Sequence, residues 1–362
     1  MIKGLYNLRT VDKNQLSEKI KYFCEDATNE ELNDLARYAC ELRNQYYGAK
    51  VYFRGLIEFS SYCANNCYYC GIRCGNQNAV RYRMTEEEII ESCCQGYDLG
   101  FRTFVLQSGE DPYFTENRLC SLVYKIKSRF HDCAVTLSVG ELSYKSYKML
   151  YDAGADRYLL RHETADEVHY GMLHPSELSL AKRKQCLYDL KEIGYQIGAG
   201  FMVDSPYQTY DTLAEDLIFL NELQPHMIGI GPFIPHKDTK FGDYGKPTAH
   251  KTIILLSLVR IMLPKALIPA TTALNTVDPS GREKGFLAGA NVVMPNLTPR
   301  KYRENYRLYD NKLSSGLEAS ENLLSLLKMV KKINMTPELS RGDHIDKIKE
   351  DTNGKHEFNT CS

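Results

Sequence analysis

The stretch Glu58-Phe-Ser-Ser-Tyr-Cys-Ala-Asn-Asn-Cys-Tyr-Tyr-Cys-Gly71 decides how this chain is read. Cys63, Cys67 and Cys70 stand in the spacing C-x3-C-x2-C. Three thiolates do not complete a four-coordinate zinc or rubredoxin-like site. They do hold three irons of a 4Fe-4S cluster and leave the fourth iron open to a small chelating ligand. The competing reading is a zinc knuckle or three buried free thiols. Against it, the cysteines follow a strand-like segment and lack a fourth ligand.

Outward from this loop, strand and helix patterns alternate. Val51 to Phe59 reads as the first strand. Thr85 caps a helix from Glu86 to Leu99, with Glu88 completing a capping box. Further strands are expected at 103–106, 134–138, 157–160, 196–203, 227–230, 267–270 and 291–294. Helices separate them at 117–130, up to Ala153, 179–193, 210–223, 250–263 and near 282–288. Eight such units imply a parallel sheet with right-handed crossovers. The expected fold is α/β, a complete (β/α)8 TIM-type barrel over residues 51–310. An open doubly wound sheet is the alternative. Both readings place chemistry at the carboxyl ends of the strands, where the cysteine loop lies. Residues 1–50 read as N-terminal helices and 311–335 as a C-terminal helical extension. The charged tail 336–362 reads as loose and flexible, with Cys361 a bystander.

The 362 residues carry a formal net charge of −1, which gives no electrostatic reason to expect nucleic acid or an anionic membrane as partner. No apolar run is long enough to span a bilayer, and Met1-Ile-Lys-Gly opens no signal peptide. Twelve cysteines without an export signal point to a reducing, cytoplasmic location rather than to disulfides.

The cysteine spacing, with the aromatic Tyr69 before its third member, resembles that of radical S-adenosylmethionine (SAM) enzymes. The resemblance implies one 4Fe-4S cluster on Cys63, Cys67 and Cys70, with SAM as cofactor. At the end of strand two, Leu106-Gln-Ser-Gly-Glu-Asp-Pro-Tyr113, it implies that Ser108, Gly109 and Glu110 meet the methionyl ammonium, with Gln107 beside them. Taken alone, that segment is an ordinary turn. Arg161-His-Glu163 at the mouth of a buried strand is costly unless the charges pair or face a ligand. Glu163 is a candidate for the SAM ammonium or ribose hydroxyls, and Arg183 for the SAM carboxylate. Arg161 is a candidate fork for a substrate carboxylate. A structural Arg161–Glu163 ion pair is the bland alternative. Arg54, on strand one, needs an anion if it points inward: a substrate carboxylate, a metal-bound cyanide or a glutamate of the barrel. Thr271 and Thr272 offer neutral donors to a carboxylate or cyanide. The Gly229-Ile-Gly-Pro232 segment, with Ile230, leaves room for adenine. Met294 is an apolar wall for it, or plain core.

Longer strings narrow the resemblance. Cys67-Tyr-Tyr-Cys-Gly-Ile-Arg73, Arg81-Tyr-Arg-Met-Thr85, Gly154-Ala-Asp-Arg-Tyr-Leu-Leu-Arg-His-Glu-Thr-Ala165, Gly229-Ile-Gly-Pro-Phe-Ile-Pro-His236 and Ile268-Pro-Ala-Thr-Thr-Ala273 resemble the HydE family of iron-iron hydrogenase maturases. The likeness covers roughly residues 30 to 310. It implies reductive cleavage of SAM to a 5'-deoxyadenosyl radical. The implied substrate is a small molecule or organometallic species, a cysteine-bound iron carbonyl cyanide complex. The implied partners are a ferredoxin or flavodoxin as electron donor and other hydrogenase maturation proteins. Two departures stand out. No cysteine lies between Cys186 and Cys361, so a second cluster is not expected. The family's Met-Val-Gly-Leu-Pro-Gly-Gln-Thr reads Met202-Val-Asp-Ser-Pro-Tyr-Gln-Thr209 here, so the cavity is expected to differ near Asp204 and Tyr207. The competing functions are a methylornithine synthase of the PylB type, a HydE-like paralogue with another amino-acid-derived substrate, and a non-catalytic iron-sulfur scaffold.

Overall fold

The computed structural model describes residues 8–245, 247–312 and 319–348. Helices α1 (Lys13–Glu25) and α2 (Asn29–Tyr47) precede strands β1 (Lys50–Phe53) and β2 (Gly55–Ser60). Alternation then begins: α3 (Glu86–Asp98), β3 (Thr103–Ser108), α4 (Glu116–Arg129), β4 (Ala134–Ser138), α5 (Tyr144–Asp152) and β5 (Arg157–Leu159). Next come α6 (Glu167–Leu173), α7 (Leu180–Ile193), β6 (Gln196–Ala199), β7 (Met202–Val203), α8 (Tyr210–Leu223), β8 (Met227–Ile228) and β9 (Gly231–Pro232). The series ends with α9 (His250–Met262), α10 (Thr272–Val277), α11 (Gly281–Leu287), β10 (Val292–Val293), α12 (Arg300–Arg303), α13 (Ala319–Lys332) and β11 (Thr336–Glu338). The expected capping box opens α3, with Thr85 and Glu88 exchanging side-chain and backbone hydrogen bonds. Among the described residues no helix is long and apolar enough to cross a membrane.

Six strands form one parallel sheet in the order β2-β3-β4-β5-β6-β8. The helices of the crossovers bury their apolar faces against it, so the strands are buried almost throughout. Beyond β8, single bridges Met227–Leu267 and Pro269–Val292 lead to β10, which pairs with β1. The expected seventh strand, 267–270, is only these two bridges. The first strand, expected as one piece from Val51 to Phe59, is broken at Arg54, because the chain changes partners there. β1 pairs with β10 and β11, whereas β2 pairs with β3.

The tail differs from its expectation. Read as loose from residue 336, it instead adds β11 in parallel to β1 and then folds under the amino ends of the strands. Arg157, fully buried on β5, pairs with Asp343 at 2.6 Å and donates to the Arg341 carbonyl and to Thr103 Oγ1. Arg341 pairs with Asp156 at 2.9 Å, and Gln196 donates to Asp343. The charges that read as a solvated tail are spent on buried ion pairs. Residues 349–362, including Cys361, lie outside the described residues.

Asp343 sets a test of this plug. Burial opposes its charge, but Arg157 and Arg341 outweigh burial and hold the carboxyl well below the usual carboxylate range. A depressed carboxyl pKa stabilises the fold above the unfolded value and is lost only as pH falls through the folded one. Asp343→Ala is therefore expected to cost about 3–5 kcal/mol at pH 7, because it strands a buried arginine. The loss should shrink in strong acid. Denaturant melts of both proteins across pH measure it; an unchanged midpoint at pH 7 contradicts the plug.

Candidate functional site

The cysteine loop leaves β2 at the carboxyl end of the sheet and is pinned by arginines. Arg81 donates to the carbonyls of Ser61, Ile72, Arg73 and Asn76, gathering both ends of the loop. Arg83 grips Asp111 with two hydrogen bonds, at 2.7 and 2.9 Å, and Asp111 also accepts from Ser60 Oγ. These anchors were not singled out from the sequence. Arg81 and Arg83 sat in a quoted string, but nothing in their spacing said what they bind.

The end of β3 lies against the same loop. A side-chain carbon at Gly109 would stand 2.3 Å from the Tyr62 carbonyl and 2.7 Å from Cys63 Cβ. Only glycine permits this approach. The Ala64 amide then donates to the Glu110 carbonyl at 2.8 Å. Glu110 folds its carboxylate under Gly140 and accepts from the Glu141 amide at 3.0 Å. Burial raises its pKa.

A cavity of about 290 Å³ opens beside this contact. Cys63, Cys67, Cys70, Tyr69, Gln107, Ser108, Gly109, Glu110, Arg161, Glu163, Arg183 and Thr271 all line it. Burial raises the pKa of all three thiols, Cys70 up to about 12 and Cys67 well above its ordinary value. Iron ligation would hold them as thiolates. Among the described residues no three such side chains converge on a point that suits a single metal ion. Thiolates on separate corners of a cube do not need to converge.

Tyr69 is held edge-on to His174, 5.3 Å between ring centroids. His174 Nδ1 faces the Tyr170 carbonyl at 2.9 Å, so it carries the proton. Its Nε2 accepts from the Tyr69 hydroxyl at 3.3 Å. Burial holds His174 neutral, its pKa lowered to about 3.

Arg161 Nη2 and Glu163 Oε2 form an ion pair at 2.8 Å, the pairing that was the bland alternative for these two charges. Arg161 Nε is buried beside this pair without a partner. A buried polar atom is costly in that state, and Arg161 lines a cavity. Arg183, expected to hold a carboxylate, pairs at 2.6 Å with Glu141 and donates to the Arg161 carbonyl. Thr271 caps α10 by accepting from the Leu274 amide. Its hydroxyl proton is left to donate.

Four expectations move elsewhere. Arg54 is fully inward but lies near the other end of the strands, donating to the Gly342 carbonyl and contacting Met227 sulfur. Met294 packs there too, against the cluster of Tyr47, Tyr52, Met227, Leu267 and Val292. Ile230 is buried in the main core, while its neighbours Gly231 to Ile234 line the cavity. Thr272 begins α10 outside the cavity lining, which holds Ala273 instead. Asp204 and Tyr207 have φ of 58° and 65°, the left-handed backbone that suits glycine. Their side chains leave the cavity, Asp204 to pair with Lys251 at 2.7 Å and Tyr207 to lie exposed against Phe241. The cavity also gains Tyr306, Leu308 and Tyr309, contributed by the segment after α12.

Residues 57–220 match the Radical SAM superfamily. The chain is 46% identical over 303 residues to the FeFe hydrogenase maturase subunit HydE of Thermotoga maritima, spanning 84% of this chain and 86% of that protein. It is 29% identical over 312 residues to the 3-methylornithine synthase of Methanosarcina acetivorans, spanning 86% of this chain and 87% of that protein. The crystal structure of the methylornithine synthase PylB superposes with a TM-score of 0.79 at 25% identity, covering 96% of this chain and 99% of that one.

The close approach at Gly109 sets the test of this geometry. Gly109→Ala is expected to push the cysteine loop off β3, because the clash is with a backbone carbonyl that cannot rotate away. Iron bound per chain after anaerobic reconstitution should fall steeply while far-UV circular dichroism stays native. Full iron loading would contradict the close approach.

Proposed function

Because this chain belongs to the HydE family of radical SAM enzymes, we propose that it binds one 4Fe-4S cluster and SAM and acts in assembly of the iron-iron hydrogenase active-site cluster. Its substrate in this reading is a cysteine-bound iron carbonyl cyanide complex. The electron donor is a ferredoxin or flavodoxin, the further partners are other hydrogenase maturation proteins, and the setting is the cytoplasm. One observation carries the reading: three thiols and the Arg161–Glu163 ion pair line one cavity at the carboxyl ends of the strands, with Arg161 Nε buried there without a partner. We read the bridges from β8 through 267–270 to β10 and β1 as closing the sheet into a complete (β/α)8 barrel around that cavity.

A bound 4Fe-4S cluster with SAM would supply reductive one-electron cleavage of the cofactor to a 5'-deoxyadenosyl radical. The protein's own part is binding, orientation and exclusion of water. Cys63, Cys67 and Cys70 hold three irons. Glu163 accepts from the ammonium or ribose hydroxyls. Ser108 and Glu110 stand beside them at the β3 end. Tyr69, Phe233, Ile234 and Leu308 give an apolar lining that keeps water from a radical. The Arg161 guanidinium, whose Nε has no partner within the protein, is the group that would meet an anionic substrate, with Thr271 lining the same cavity. A second reading, a methylornithine synthase, draws on the likeness to PylB over nearly the whole chain.

Replacing any of Cys63, Cys67 and Cys70 by alanine is expected to abolish 5'-deoxyadenosine formation from SAM under dithionite; undiminished formation refutes the ligand assignment. The iron-cysteine complex should be consumed with stoichiometric SAM cleavage, and lysine should not. Turnover of lysine would install the second reading. Arg161→Gln should keep iron content and SAM cleavage while raising the substrate KM by about tenfold, the value of one charge-assisted pair; loss of the cluster would make Arg161 a folding residue instead.

A further inference from the structure

The loop that carries Arg161 and Glu163 is strained at its working residue. Glu163 has φ 66°, a left-handed backbone that costs a side-chain-bearing residue about 1–2 kcal/mol. Something must hold it there. Two fully buried side chains stand behind it: His162, the preceding residue, and Asp216, from the middle of α8. His162 Nδ1 lies 3.3 Å from the Gly200 amide, which can only donate, so the imidazole proton sits on Nε2. Nε2 donates to Asp216 Oδ1 at 3.2 Å. The same oxygen accepts from the Ala165 amide at 2.6 Å. One carboxylate oxygen therefore grips the chain on both sides of Glu163 and Thr164. Parallel bonds to the next strand support the grip, Glu163 amide to Gly200 carbonyl and Met202 amide to Glu163 carbonyl. Thr164 is tied separately, to His169 Nδ1 at 2.9 Å.

We infer that His162 and Asp216 are positioning residues for the cofactor: together they hold Glu163 left-handed, so that its carboxylate faces the cavity rather than the core. Neither is itself among the residues that line the cavity. A buried imidazole–carboxylate pair adds little stability compared with apolar side chains of the same volume, so its value here is the backbone shape it imposes. Burial keeps the imidazole neutral and pushes the Asp216 carboxyl well above the usual carboxylate range. The geometry of the grip needs an acceptor at Oδ1. The inference rests on the reading of the cavity as the SAM site.

The test uses the full chain, anaerobically reconstituted. His162→Leu and Asp216→Leu remove the grip. His162→Asn keeps an acceptor for Gly200 but is too short to reach Asp216, and serves if a leucine variant fails to fold. His162→Gln restores a donor towards Asp216, and Asp216→Asn restores the acceptor. Iron per chain, the SAM dissociation constant from the change in the cluster's EPR signal, and KM and kcat for SAM cleavage are measured for each. The gripless variants should keep their iron and bind SAM about tenfold or more weakly, the scale of a misplaced contact. His162→Gln and Asp216→Asn should recover most of that affinity, and His162→Asn should not. Glu163→Gln added to His162→Leu should cost little more than either alone, since both act through one carboxylate. Wild-type affinity in the gripless variants, with only a lower melting temperature, overturns the inference. A wild-type cluster whose spectrum ignores SAM overturns instead the cofactor reading beneath it.

Discussion

At Gly109 the end of β3 and the start of the cysteine loop share a space too small for one methyl group. The rest of the site depends on that approach. It brings Tyr62 and Cys63 against the strand end and lets the Ala64 amide bond to Glu110. It also sets the first thiol beside the residues that rise from β3, β4 and β5. Around it the chain invests heavily in polar anchoring. Arg81 collects four carbonyls and Arg83 chelates Asp111, so the protein's own contacts help fix the shape of the loop. A preorganised loop spends less binding energy on ordering when the ligand comes.

The two ends of the sheet place their ion pairs in different settings. Beneath the strands, Arg157 and Arg341 find Asp343 and Asp156, and the charges cancel within the protein. At the carboxyl ends, Arg161 and Glu163 also pair, at 2.8 Å, but they do so in the wall of a cavity.

Much of this was legible from sequence. The limits of β4 and α8 follow from apolar runs and helical spacing bounded by clear breaks, and the expected Ala134–Ser138 and Tyr210–Leu223 match them. The cysteines, the Ser108–Glu110 turn and the Arg161–Glu163 pair all reach one cavity, because strand ends in a parallel sheet share an edge. Depth was not legible. Alternation tells which face Arg54 takes, but not how far along the strand axis it sits, and it sits by Gly342. Met294 was misplaced for the same reason, whereas Ile230 lies next to the cavity-lining Gly231 and packs into the main core instead. The tail misled because ion pairs buried between distant segments look, in sequence, like solvated charge. The helices α6 and α10 were missed because six or seven residues are too few to establish a period.

The central claim is that three protein sulfurs leave one iron free for SAM. The most direct measurement is EPR with electron-nuclear double resonance on the reduced, reconstituted protein, with SAM labelled by nitrogen-15 at its amino group. A 4Fe-4S signal that shifts on adding SAM and gains a coupling to the label is the predicted result. A cluster held at all four corners by side chains, with neither shift nor coupling, would contradict it.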